Sequence, residues 1–228
     1  VANCLIEGKQ CTVAWYVDDN KISHVDPKVV TSIIEKIEAK FGKMTVTRGK
    51  HHVFLGMEIT FKSNGTVKII MKDHLKEAIK DSGMDVSKSA ATPATKNLFT
   101  IDEDSKHLDT KQGDLFHSIV AKLLYVSKRS RVDILLAVAF LCTRVSCATE
   151  QDWDKLGRVL RYLNGTLDLS LTLGADNLTS MTTWVDASYA VHGDMKSHTG
   201  GAISFGRGAI MCKSSKQKLN TKLSLIHI

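Results

Sequence analysis

Two carboxylates, Asp18 and Asp19, stand side by side in the stretch TVAWYVDDNKISHV, between β-type runs over 12–17 and 22–25. Like charges at neighbouring positions repel, and a turn with no other task is more cheaply made from Asn-Gly or Asp-Gly. A cation between the carboxylates removes that penalty. Adjacent carboxylates at a strand turn suit a two-metal site, where the ions neutralise the repulsion and clamp the attacking and leaving oxygens of a phosphoryl transfer. The competing reading is a solvated turn, because a Tyr-x-Asp-Asp string arises by chance in on the order of a few chains in a hundred of this length. Another carboxylate, Asp186 in TTWVDASYA, falls late in a β-type run among small residues and by default reads as a surface aspartate ending a strand. The pair His51-His52 is not expected to share an ion, since adjacent residues on a strand point to opposite faces.

The elements around these residues follow from spacing and punctuation. In DPKVVTSIIEKIEAKFG, Asp26 reads as an N-cap, Pro27 as the first helical residue and Gly42 as the stop, with Val30, Ile33, Ile34, Ile37 and Phe41 on one face. Asn64-Gly65, between VFLGMEITF and VKIIM, is a strong short hairpin signal. DHLKEAIKDSG predicts a short helix from 73 to the Gly83 cap, and the polar stretch over 85–110, holding Pro93, reads as a linker. Three helical patterns then fill 114–163: DLFHSIVAKLLYVSK, RVDILLAVAFLCTRV and EQDWDKLGRVLRYLN, the last stopped by Gly165. The middle one is apolar nearly all round and should be buried. After 165 the texture changes to LSLTL, MTTWVDA, GGAISFG and AIMCKSS, short β-type runs of an antiparallel sheet that opens a new domain.

With 228 residues and 43% apolar content the chain can bury a core. A net charge of +7 and a pI near 9.1 favour a polyanionic partner such as nucleic acid. Arg207, Lys213, Lys216, Lys218 and Lys222 form a carboxylate-free run that could contact phosphates or could be a solvated face. The 5 cysteines show no C-x-x-C pair and no zinc-type spacing, which fits a reducing compartment. No apolar run approaches the roughly 20 residues that span a bilayer, so no membrane partner is expected.

The order YVDD, NKISH, a helix, FLGMEI and an Asn-Gly hairpin resembles the palm of copia-type retrotransposon reverse transcriptases. The likeness continues through ATPATKNL, LLYVSKRSRVDILLAVAFL, DWDKLGRVLRYLNGT, WVDASYA and SSKQKLNTK, nearly the whole chain. It implies an RNA-directed DNA polymerase that uses Mg²⁺ or Mn²⁺ with an RNA template, a DNA primer strand, an RNA-DNA hybrid and nucleoside triphosphates. The remainder of a polyprotein would be its partner, in an intracellular setting such as a cytoplasmic particle or the nucleus. Asp18 would then bind metal with Asp19 as its weaker partner, and Tyr16 and Val17 would neighbour the primer end. Gly56 and Met57 would belong to the hairpin that grips the primer; their plainer reading is a β-turn followed by a core methionine. Lys43 falls near where such polymerases place a basic residue by the incoming triphosphate, although a lysine at a helix end is also a dipole partner. Asp186 would be the first metal-binding aspartate of a ribonuclease H fold.

The chain also departs from that pattern. Upstream of Asp18 the only acid is Glu7, and after Asp194 there is no Asp or Glu, so the carboxylates that complete both metal sites in the family are expected to be missing. An opening at Val1 and an ending in LSLIHI read as a piece of something longer, inactive on its own. The expected class is α+β: a palm remnant with the primer-grip hairpin over 1–84, a linker over 85–113, a helical thumb and connection over 114–165, and an incomplete ribonuclease H-like domain over 166–228. The rival expectation is a catalytically dead basic module that binds nucleic-acid backbones.

Overall fold

The computed structural model describes residues 1–219. The chain divides into two compact units, Val1–Gly56 and the part from Met57 on. Helices alternate with antiparallel sheets, so the described residues are α+β as expected.

In the first unit, β1 (Ala2–Ile6), β2 (Lys9–Tyr16) and β3 (Asp19–Ser23) form an antiparallel meander. The β1–β2 link is a two-residue turn in which Glu7 and Gly8 both have positive φ, 52° and 70°, the left-handed form that matches the twist of paired strands. Then α1 (Pro27–Phe41) starts as its sequence predicts: Asp26 is the N-cap, its carboxylate accepting from Lys28 N at 2.8 Å, with Pro27 following. Gly42, at φ 92°, ends it. The apolar stripe is only partly covered, however; α1 has no fully buried residue, and Phe41 is 72% exposed. Cys11, at 1%, is the one fully buried apolar side chain of this unit. Four strands and one helix leave too little surface here to close a larger core. The unit ends with β4 (His51–Phe54) and a turn at Leu55 and Gly56.

The core lies in the second unit. β5 (Met57–Phe61) and β6 (Val67–Ile70) pair around the predicted Asn64-Gly65 turn, where Asn64 Oδ1 accepts from Thr66 N and Oγ1 at 3.2 and 2.8 Å. α2 (Lys72–Ser82) stops at Gly83 in the left-handed conformation. α3 (Thr110–Ser127) starts at the Asp109 cap, four residues ahead of its predicted start, and buries Phe116, Ile119, Val120, Leu123 and Val126 at helical spacing. The pattern expected as one long buried helix is a 3-10 turn (Val132–Ile134) followed by α4 (Leu135–Cys142), which is buried on nearly every side. α5 (Glu150–Asn164) opens with a capping box between Thr149 and Asp152.

Two stretches behave differently from their sequence texture. The polar segment after α2 is irregular but strapped down: Leu98 is buried in the helical core, Arg158 Nε donates to Thr92 O at 3.1 Å, and Lys155 Nζ to Thr100 O at 2.6 Å. The carbonyls of Val86, Thr92 and Thr100 accept from α5 side chains rather than from a ladder. The run expected to open a new sheet instead gives β7 (Leu171–Ala175), which pairs with β6 through Val67↔Leu173 and Ile69↔Leu171 and so fills the open edge of the β5–β6 ladder. β8 (Thr182–Ser188), β9 (His198–Ser204) and β11 (Met211–Lys216) then make a separate sheet in the order β11-β9-β8, while the short β10 (Gly206–Arg207) turns back onto β7.

Candidate catalytic site

Tyr16 and Asp19 are the last directly paired residues of β2 and β3, so Val17 and Asp18 form the connecting turn. Val17 has φ 52°. A β-branched residue in the left-handed region is a genuine outlier, costing on the order of 1–3 kcal/mol. The turn is held in place from the side: Trp15 Nε1 donates to Val17 O at 2.6 Å, and Asn20 Nδ2 reaches Asp18 O at 3.5 Å. Tyr16, Val17, Asp18 and Asp19 are all exposed, Val17 by 78%. The tip is therefore strained, braced and solvent-facing, with both carboxylates accessible.

A cleft of about 570 Å³ adjoins the turn, bordered among others by Asp18, Asp19, Lys21, Arg48, His51 and His52. Carboxylate, cationic and imidazole groups all line it. Lys21 follows Asp19 by two and so shares its face of β3; its Nζ donates to Ser23 Oγ at 3.0 Å, and burial pushes its ammonium below the usual lysine range. Arg48 Nη2 donates to Thr31 Oγ1 at 3.0 Å, which ties the guanidinium to α1. His52 Nε2 lies 2.8 Å from Gly49 O. Neither Lys21 nor Arg48 was singled out by the sequence. Strand alternation from Asp19 would have found Lys21, but nothing local signals Arg48, which is brought there by the irregular segment after α1.

The other expected site residues are spread more widely. Lys43 is exposed just beyond Gly42, and it is its neighbour Met44 that borders the cleft. Leu55 and Gly56 are both left-handed, φ 52° and 70°, so the glycine meets the need of a tight turn. Met57 opens β5 and packs against the hydrophobic core of the second unit. Asp186 is in the middle of β8 opposite Gly200, its Oδ1 accepting from Ala187 N at 2.7 Å. It borders a cavity of about 720 Å³ together with Leu136, Trp184, His198, Lys213 and Ser214, and no other carboxylate lines it. Among the described residues no group of three or more His, Cys, Asp or Glu side chains is placed to hold a metal ion. Of the basic run, Lys216 is engaged by Asp194 at 2.9 Å; the pairing of β11 with β9 brings the two together across 22 residues of sequence. Lys222 lies outside the described residues. No helix among the described residues is long and apolar enough to cross a membrane.

Comparison with known proteins finds transposon-encoded relatives of the chain. The chain is 28% identical over 205 residues to a transposon Ty5-1 protein of Saccharomyces cerevisiae, covering 90% of the chain and 65% of that protein. It is 29% identical over 205 residues to a retrovirus-related Pol polyprotein from transposon RE2 of Arabidopsis thaliana, covering 89% of the chain but 14% of the polyprotein. An uncharacterized mitochondrial protein of Arabidopsis thaliana is 27% identical over 203 residues, covering 89% of the chain and 82% of that protein. The chain thus spans less than two thirds of the Ty5-1 and RE2 relatives. No protein-family model and no solved structure matches it.

Proposed function

Because the chain is a homologue of copia-type retrotransposon Pol polyproteins over about 90% of its length, we propose that it is the part of such a polyprotein that carries the aspartate turn of an RNA-directed DNA polymerase, running on into the start of a ribonuclease H-like region. The observation that carries this reading is the turn itself. Two adjacent carboxylates sit at the tip of β2–β3 on a strained, non-glycine backbone that is braced by Trp15 and opens on a mixed-charge cleft. Strain kept at a solvent-exposed tip, where Asn-Gly would relieve it, points to a task for the residues there.

Asp18 and Asp19 suit Mg²⁺ or Mn²⁺ as a partial ligand set, because Mg²⁺ is commonly held by one or two carboxylates with waters and substrate phosphates completing the shell. When bound, the ion would offset the charge of a triphosphate. The chain's own residues do the rest: Tyr16 and Val17 present the turn to a primer end, Asp18 and Asp19 supply charge, and Lys21 and Arg48 line the path of phosphates through the cleft. Lys43, Gly56 and Met57 are the next candidates for triphosphate and primer contacts, and Asp186 for a second, ribonuclease H-type ion. RNA template, DNA primer, RNA-DNA hybrid and nucleoside triphosphates are the partners this reading requires, alongside the remainder of the polyprotein.

The second reading, a basic remnant that only binds nucleic-acid backbones, is favoured by the lack of a third ligand beside either Asp18 and Asp19 or Asp186 among the described residues. Primer extension separates the two. The chain is joined to the upstream part of the RE2 polyprotein and assayed on a primed RNA template with Mg²⁺. Extension is expected, with Asp18→Asn abolishing it and Asp19→Asn impairing it while circular dichroism stays unchanged. Equal extension with and without the Asp18 carboxylate would show that the turn is only a turn.

A further inference from the structure

Two histidines outside the aspartate turn are almost entirely removed from water: His192, in the loop between β8 and β9, and His198, the first residue of β9, are each 4% exposed. They form a chain of polar contacts with β11. His192 Nε2 lies 3.0 Å from His198 Nδ1, and His198 Nε2 lies 2.7 Å from Ser214 Oγ. Aromatic rings of the helical body pack against them as well. Phe99 sits edge-on to His192 at 5.0 Å and tilted against His198 at 5.3 Å, while the Phe140 ring of α4 stacks on His192 at 6.3 Å. Phe140 belongs to the buried helical core and Phe99 packs against it. The imidazole pair therefore lies in the seam between the β11-β9-β8 sheet and the helices.

The seam is built for neutral rings. A chain of three groups with one proton per link is satisfied in either polarity by two neutral imidazoles and a hydroxyl. With one extra proton, His198 can still donate to both neighbours. With two, His192 N–H and His198 N–H face each other at 3.0 Å, and neither can accept. The charged groups around the pair do not help. The loop contributes Asp194 and Lys196, and β11 contributes Lys216, but Asp194 is engaged by both lysines, at 3.3 and 2.9 Å. From α5, Lys155 Nζ stands 4.7 Å from the centre of the Phe140 ring, and α4 itself carries no charged residue. Asp186 of β8 and Lys213 of β11 border the same cavity as His198, but among the described residues neither is hydrogen-bonded or ion-paired to an imidazole, and Asp186 Oδ1 accepts from Ala187 N at 2.7 Å.

We propose that His192 and His198 are a proton-operated latch that fastens the β11-β9-β8 sheet to the helical body while both rings are neutral and releases it when they are protonated. Burial, then His198 and Lys216, hold His192 down to about 4, and burial holds His198 below the usual histidine range. Both shifts are depressions, so the sign is fixed. The latch contributes in full above the unfolded histidine value near 6.5, and its contribution is lost as pH falls from there toward about 4. Release would expose the faces of Phe99 and Phe140 while leaving the helices folded, since most of their core does not touch the histidines.

The test is hydrogen exchange with peptide-level mass spectrometry on the full chain at pH 7.5, 6 and 4.5, corrected for intrinsic exchange, beside an NMR titration of the two imidazoles. Protection of β9 and β11 should fall at least tenfold between pH 7.5 and 4.5, with α3 and α5 losing less than threefold. A His192→Gln/His198→Gln variant should show the same sheet protection at all three pH values. Sheet protection independent of pH in the wild-type chain overturns the proposal, as does an equal loss in the double variant or simultaneous loss from the helices. If the double variant does not fold, the titration decides: a His192 midpoint below 5.5 supports the latch, and one at or above 5.5 refutes it.

Discussion

Replacing Arg131 by methionine removes a guanidinium that is 1% exposed and leaves its partners behind. Arg131 is held by Asp133 through Nε at 3.0 Å and Nη2 at 2.7 Å, and it donates to Thr166 O and Oγ1 at 2.9 and 2.7 Å. Asp133 also accepts from Tyr162 OH at 2.8 Å. The cluster thereby joins the turn after α3 to α5 and the segment that leaves it. Methionine keeps most of the volume, so the cost is electrostatic: a part-buried carboxylate without its cation and a part-buried carbonyl without its donor. Breaking one side of a buried pair costs about 3–5 kcal/mol. At roughly 2–4 °C per kcal/mol for a body of this size, Tm should drop on the order of 10 °C. Arg131→Met/Asp133→Leu removes both charges and should recover most of the loss, with a coupling of at least about 2 kcal/mol in a double-mutant cycle. The pH dependence gives an independent readout. Burial alone would raise the Asp133 carboxyl, but Arg131 and the Tyr162 hydroxyl outweigh it and hold the group below the usual carboxylate range. That stabilisation is present above the unfolded value near 4 and lost as pH falls through the folded one, and Arg131→Met should flatten this acid-side slope. Urea unfolding followed by circular dichroism measures all of these. A single Arg131→Met change costing under about 1 kcal/mol would refute the account, since it would mean the cluster is as wet as a surface pair.

Other expected outcomes are more local. Gly208→Ala should destabilise by more than about 2 kcal/mol in the same urea assay, because φ is 73° and the added Cβ would stand 2.2 Å from the backbone oxygen of Thr172. Asp26→Ala should cost the first unit about 1 kcal/mol through loss of the 2.8 Å cap to Lys28 N, and Asp26→Asn only a few tenths. Binding to a primer-template duplex, read by fluorescence anisotropy, should weaken at least tenfold from about 50 to 200 mM salt if the +7 charge contacts phosphates, and a flat response would remove nucleic acid from the partners. The isolated chain should not cut the RNA of an RNA-DNA hybrid with Mg²⁺, and cleavage abolished by Asp186→Asn would contradict the reading that Asp186 has no carboxylate partner.

The elements written into short windows were legible from the sequence alone. Asp26, Pro27 and Gly42 bound α1, Asn64-Gly65 makes a hairpin, and Asp18-Asp19 fall at a strand turn, because capping, turn chemistry and alternation depend on residues within a few positions of each other. What the sequence left open depended on distant partners. Only the folded chain brings β7 back to β6 across four α-helices and a 3-10 turn, ties the polar stretch after α2 to Arg158 and Lys155 of α5, and sets Arg48 beside the aspartate turn. Only it shows that the stripe on α1 stays half uncovered, since periodicity tells which face is apolar but not whether enough surface exists nearby to bury it. The same holds for His192 and His198: six residues apart in a polar stretch, they look like solvent-facing groups, and they become buried and water-free only because β9 and β11 close over Phe99 and Phe140.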